Sequence, residues 1–91
     1  MNDRVARLVS VHGQVQGVFF RDTCRREAVA RGVTGWVRNE YDGTVSAVFE
    51  GTREAVDEMV AWARHGPSRA AVHTVDVSEV EPSGSADFDV R

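Results

Sequence analysis

The amino-acid sequence predicts an α+β fold: a mainly antiparallel sheet with two helices covering one face. Three observations carry this expectation. Apolar and polar residues alternate along residues 6–12 and 72–80, and residues 35–41 and 44–50 are rich in β-branched and aromatic side chains, as strands require. Between these stretches lie two segments whose apolar residues return every three or four positions, the spacing of an inward helix face. The dipeptide Asp42-Gly43 separates the middle two stretches and suits the positive φ angles of a tight hairpin turn.

Taken in order, residues 6–12 place Val9 and Val11 on one face of a first strand and Leu8, Ser10 and His12 on the other. Residues 13–20, with two glycines and two glutamines, interrupt that pattern and predict a loop. A helix is expected from Arg21 to near Gly32, with Phe20, Cys24 and Ala28 as its inward stripe. Residues 35–41 and 44–50, rich in β-branched and aromatic side chains, form the predicted hairpin strands. Thr52 can cap a second helix, Glu54 favours its first turn, and Val56, Met59, Val60 and Ala63 share one face. Gly66-Pro67 ends that helix, residues 72–80 resume alternation, residues 82–85 form a loop, and residues 88–90 are a short final strand. This order predicts a ferredoxin-like βαββαβ sandwich with a terminal strand added.

With 91 residues, 42% of them hydrophobic, the chain can bury one compact core but not two, so a single domain over residues 1–91 and a monomer are expected. The formal net charge of -3 offers no general attraction to nucleic acid or to an anionic membrane. Cys24 is the one cysteine, so an internal disulfide and a cysteine-based metal cluster are both excluded, and a cytoplasmic location is the default. Met1-Asn2-Asp3-Arg4 leads into alternating sequence with no apolar run like a signal peptide, and no stretch approaches membrane-spanning length.

The segment Gln14, Val15, Gln16, Gly17, Val18, Phe19, Phe20 and Arg21 lies between a predicted strand and a predicted helix. A curled backbone there can turn several N–H groups inward, and the helix N-terminus adds partial positive charge, so the place suits an anion. Gly17 permits a conformation or close approach that a side chain would block, and Arg21 offers a rigid fork of donors to phosphate oxygens. Arg21 reads equally as a solvated residue at a helix start. The segment lacks the Gly-Lys-Ser/Thr ending of a nucleotide-binding loop and does not match the dinucleotide fingerprint. Asn39, on the first hairpin strand, shares the face of Val37 and Tyr41. Its amide has a donor and an acceptor with which to fix a water beside a bound phosphate, although a polar residue approaching a turn is an equally good reading.

Two patterns in these places resemble a known family. Val11-x-Gly13-x-Val15-Gln16-Gly17-Val18-x-Phe20-Arg21, and Gly35-Trp36-Val37-Arg38-Asn39-x-x-x-Gly43-x-Val45 followed by Gly51, are similar to the two acylphosphatase signatures in order and spacing. A Gly66-Pro67-x-x-Ala70-x-Val72-x-x-Val75 stretch and the tail from Phe88 to Arg91 extend the resemblance over essentially the whole chain. Ser68 stands where a second proline is common, and Phe19 occupies a variable position. The resemblance implies metal-free hydrolysis of the carboxyl–phosphate bond of small acyl phosphates, without a cofactor. It further implies that Arg21 and the amides from Gln14 to Phe20 bind the phosphoryl oxygens, and that Asn39 orients the attacking water.

Other residues carry blander expectations. His12, His65 and His73 are scattered and form no metal-ligand motif, Cys24 reads as a small core residue, and Trp36 and Trp62 read as packing anchors. Arg25-Arg26 suits a solvated helix face. The rival function is a non-catalytic phosphate- or ligand-binding module, since this sandwich also serves in RNA readers and regulatory domains. Isolated Phe49 and Phe88 and the negative charge speak against an RNA reader. A closer rival places such a domain within a larger enzyme acting on carbamoyl phosphate.

Overall fold

A computed structural model describes residues 4–91. Met1, Asn2 and Asp3, where the expected absence of an export signal begins, lie outside the described residues. The elements follow the predicted order: β1 (Arg4–Gln14), α1 (Phe20–Ala30), β2 (Thr34–Asn39), β3 (Val45–Thr52), α2 (Arg53–Ala63), β4 (Ala71–Val80) and β5 (Phe88–Val90). The strands form one sheet in the order β4-β1-β3-β2-β5, antiparallel except for the β2–β5 pair. Two helices on one face of this mixed sheet make the ferredoxin-like α+β sandwich.

The core follows the two periodicities. Val9, Val11, Val37, Val45, Ala47 and Phe49 from the sheet meet Phe20, Cys24 and Ala28 of α1 and Val56, Met59 and Ala63 of α2, all buried. Ala55 N–H donates to the Thr52 hydroxyl at 3.2 Å, so the predicted cap starts α2. Cys24 is fully buried in this core, and burial, followed by the charge of Glu27, pushes its thiol far above the ordinary range.

Several boundaries differ from the sequence expectation by one or two residues, and two of them bear on the site. β1 runs past His12 to Gln14, because Gly13 and Gln14 join the β4 ladder across a register shift at His12/Gly13. That pairing is long-range, so the local run of glycines and glutamines could not reveal it. β2 ends at Asn39, and Tyr41 is fully exposed in the turn instead of extending the strand. The hairpin loop is wider than a two-residue turn. Glu40 N–H donates to the Thr44 carbonyl, Gly43 alone of the turn residues takes positive φ, and the Asp42 carboxylate accepts from Thr44 N–H and hydroxyl. Asn39 therefore shares its face with buried Val37 but not with Tyr41.

The other face of the sheet is crossed by the β4–β5 connection, which Glu50 fastens. Its carboxylate, 1% exposed, accepts from Gly84 N–H at 3.1 Å and Ser85 N–H at 2.9 Å and lies 3.5 Å from the Arg4 guanidinium. Burial pushes the Glu50 carboxyl up, but the Gly84, Ser85 and Ser83 N–H groups and Arg4 outweigh it and hold the carboxyl below its ordinary value. This connection delivers β5 to the edge beside β2, and with it Val90 and Arg91 to the site.

Candidate active site

The loop between β1 and α1 is built for an open backbone. Gly17 has φ 73°, and a Cβ added there would meet nothing within 4 Å, so glycine is required by conformation and leaves free space above it. Phe19, the N-cap of α1, also takes a left-handed conformation, φ 64° and ψ 26°, and no side chain caps the helix. Among the described residues, the N–H groups of residues 16–19 donate to no protein acceptor. The first N–H groups of α1 likewise lack intrahelical acceptors. Unpaired donors thus gather at the positive end of a helix.

Asn39 is brought to this loop by β2. Gly35, earlier in that strand, stands where a Cβ would collide with the Val48 carbonyl, so glycine allows the close β2–β3 approach and the register that sets Asn39 opposite Val45. The loop is then tied to the hairpin by Gln16. Its side-chain amide donates to the main-chain oxygens of Glu40 at 2.8 Å and Thr44 at 3.0 Å, one on each side of the turn that follows Asn39. Beside it, Arg38 lies 2.8 Å from Glu40, whose carboxyl is held below its ordinary value by hydrogen bonds from Arg38 and then Ser46.

A cavity of about 330 Å³ opens between these parts, lined by Val15, Gly17, Phe19, Phe20, Arg21 and Asn39, with Asp22 and Val90. Arg21 Nη1 donates to the Arg91 main-chain oxygen at 2.8 Å, and Arg91 N–H in turn donates to the Val37 carbonyl at 2.8 Å. One of five guanidinium donors is used in holding the side chain, and the rest stay available. The Asn39 amide has no protein partner among the described residues.

Most sequence-predicted site residues thus meet. Gln14 instead closes β1 opposite Ala71, and the side chains of Gln16, which turns to the hairpin, and half-buried Val18, which packs against the core, stay out of the cavity lining although their N–H groups are unpaired among the described residues. Val90 and the Arg91 oxygen were not anticipated, because they depend on the parallel β2–β5 pairing. His12 lies away from the cavity, with Nε2 3.0 Å from Asp76 on β4. Among the described residues, no three His, Cys, Asp or Glu side chains gather where they could hold a metal ion. Nor is any helix there long and apolar enough to cross a membrane.

A protein-family profile described as Acylphosphatase matches residues 8–90. The chain belongs to the acylphosphatase family. An acylphosphatase of Rubrobacter xylanophilus is 56% identical over 84 residues, covering 91% of this chain and 76% of that protein. One of Natronomonas pharaonis is 47% identical over 91 residues, covering 100% of this chain and 99% of its own. The fold agrees: the solved structure of an acylphosphatase from Coxiella burnetii superposes with a TM-score of 0.94 at 38% identity, over 98% of this chain and 94% of that one. Both acylphosphatase signatures read in the sequence contribute to the cavity lining, the first through Val15, Gly17, Phe20 and Arg21 and the second through Asn39.

Proposed function

We propose that this acylphosphatase-family enzyme hydrolyses small acyl phosphates to a carboxylate and inorganic phosphate, without a metal, using Arg21 to hold the phosphoryl group and Asn39 to orient water. The observation that carries the reading is that Arg21 and Asn39, both with unused hydrogen-bonding capacity, line one cavity beside unpaired loop N–H groups. The amides between Gln14 and Phe20 and the Arg21 fork surround the phosphoryl oxygens in this reading. The Asn39 amide, an acceptor and a donor on one planar group, holds water against phosphorus.

The leaving group makes metal-free chemistry sufficient. A carboxylate is the conjugate base of an acid with pKa roughly 4 to 5, so it departs without a strong general acid. What is left to catalyse is positioning and the charge on the equatorial phosphoryl oxygens, which a guanidinium and fixed N–H dipoles stabilise. Neither Arg21 nor Asn39 accepts a proton at neutral pH, so the substrate phosphate takes the proton of the attacking water. We further infer that the chain acts as a single cytoplasmic domain and a monomer, supported by its one continuous core and lone buried cysteine.

Hydrolysis of benzoyl phosphate in ¹⁸O-labelled water tests the route. Attack at phosphorus places the label in inorganic phosphate, the expected result. Label in benzoate would mean attack at the carbonyl carbon and would refute the roles given to Arg21 and Asn39.

A further inference from the structure

We propose that Phe19 is the residue that reads the acyl end of the substrate, giving the enzyme a preference for aromatic acyl phosphates over acetyl phosphate. The inference rests on the acyl phosphate reading of the same cavity. Four apolar side chains line that cavity: Val15, Phe19, Phe20 and Val90. Val15 and Phe20, at 1% and 2% exposure, are consumed by the core. Phe19 is 67% exposed and Val90 44%, so these two supply the free apolar surface beside the phosphate groups.

The backbone at Phe19 sharpens the point. It is the one non-glycine residue with positive φ among the described residues, and a left-handed conformation costs a bulky residue roughly 1 to 3 kcal/mol. Glycine or asparagine would relieve that strain, and an exposed ring returns little packing energy to the fold. A strained, solvent-facing aromatic on the wall of a binding cavity gains its stabilisation only when a ligand covers it. The neighbouring polar groups, Arg21, Asn39 and the loop amides, are suited to the phosphate, which leaves the ring for the acyl group. A benzoyl ring can stack on it or meet it edge to face, whereas a methyl group cannot.

The test compares kcat/KM for benzoyl phosphate and acetyl phosphate in the natural chain, Phe19→Gly and Phe19→Tyr, with thermal unfolding of each. Glycine keeps the main-chain N–H and removes the strain, so Phe19→Gly folds with an undiminished melting temperature. Its benzoyl-to-acetyl ratio falls about tenfold, the loss expected for one aromatic contact and its buried area, while Phe19→Tyr keeps the ratio. A ratio unchanged within about twofold in Phe19→Gly overturns the proposal, whether both rates hold or both fall together; a joint fall would assign Phe19 to the shape of the phosphate loop. If the natural chain hydrolyses neither compound, the acyl phosphate reading itself fails and takes this proposal with it.

Discussion

Replacing Gln16 with alanine removes the only side-chain tie between the phosphate loop and the turn after Asn39 among the described residues, two hydrogen bonds of 2.8 and 3.0 Å to the Glu40 and Thr44 carbonyls. Each neutral bond contributes about 0.5 to 1.5 kcal/mol net, and one of these is exposed, so the pair stabilises the fold by about 1 to 2 kcal/mol. For a domain of this size that corresponds to a melting-temperature drop of roughly 5 to 15 °C. The catalytic effect is larger than the stability effect suggests. An error of about 1 Å between water and phosphorus can cost on the order of a hundredfold, so kcat on benzoyl phosphate falls about ten- to a hundredfold, more than KM rises. Gln16→Glu does not rescue it, because a carboxylate would face two carbonyl oxygens with no hydrogen to give. Initial rates and circular-dichroism melts on the three proteins decide the matter. A Gln16→Ala protein that melts lower yet keeps kcat within about twofold would show that the tie only stabilises the fold and does not place Asn39.

Two further outcomes follow from the same structure. The Glu50 carboxyl has a lower pKa folded than its ordinary 4.5, so its contribution to stability is complete above that value and is lost as pH falls through the folded pKa. Urea unfolding between about pH 3 and 6 should therefore show stability declining with acid in the natural chain and declining less steeply in Glu50→Gln, and equal slopes would contradict the assignment. Gly17→Ala forces an L residue to φ 73° without a steric clash, so it should destabilise by about 1 kcal/mol and weaken competitive inhibition by inorganic phosphate; unchanged inhibition would mean that the space above Gly17 is not where phosphate sits.

What was legible in the sequence was local. Val9 and Val11, the Phe20-Cys24-Ala28 stripe, the Thr52 cap and the Val56-Met59-Ala63 face declare themselves through period and chemistry, and all lie where expected. Arg21 and Asn39 could each be picked out as suited to an anion and to a water, but residue patterns alone did not join them; only the family resemblance did. The unseen parts depend on partners distant in sequence. Gln16 reads as a polar loop residue until the hairpin folds against it. Arg21 finds its brace in Arg91 through the β2–β5 pairing, reached by a connection that Glu50 fastens. Phe19 gives no local warning of a left-handed backbone, since the sequence preference there is for glycine or asparagine. The hairpin strands stop two residues early on one side and start one residue late on the other, because the Asp42 carboxylate organises a wider turn than Asp42-Gly43 alone suggests.

The central claim is that Arg21 and Asn39 together hydrolyse an acyl phosphate without a metal ion. The most direct test is benzoyl phosphate hydrolysis by the natural chain, Arg21→Ala and Asn39→Ala, each in the presence of excess chelator. Activity of the natural chain that survives chelation, with each substitution lowering it about a hundredfold or more while the protein stays folded, is the predicted result. Activity abolished by the chelator, or retained by either variant, would contradict it.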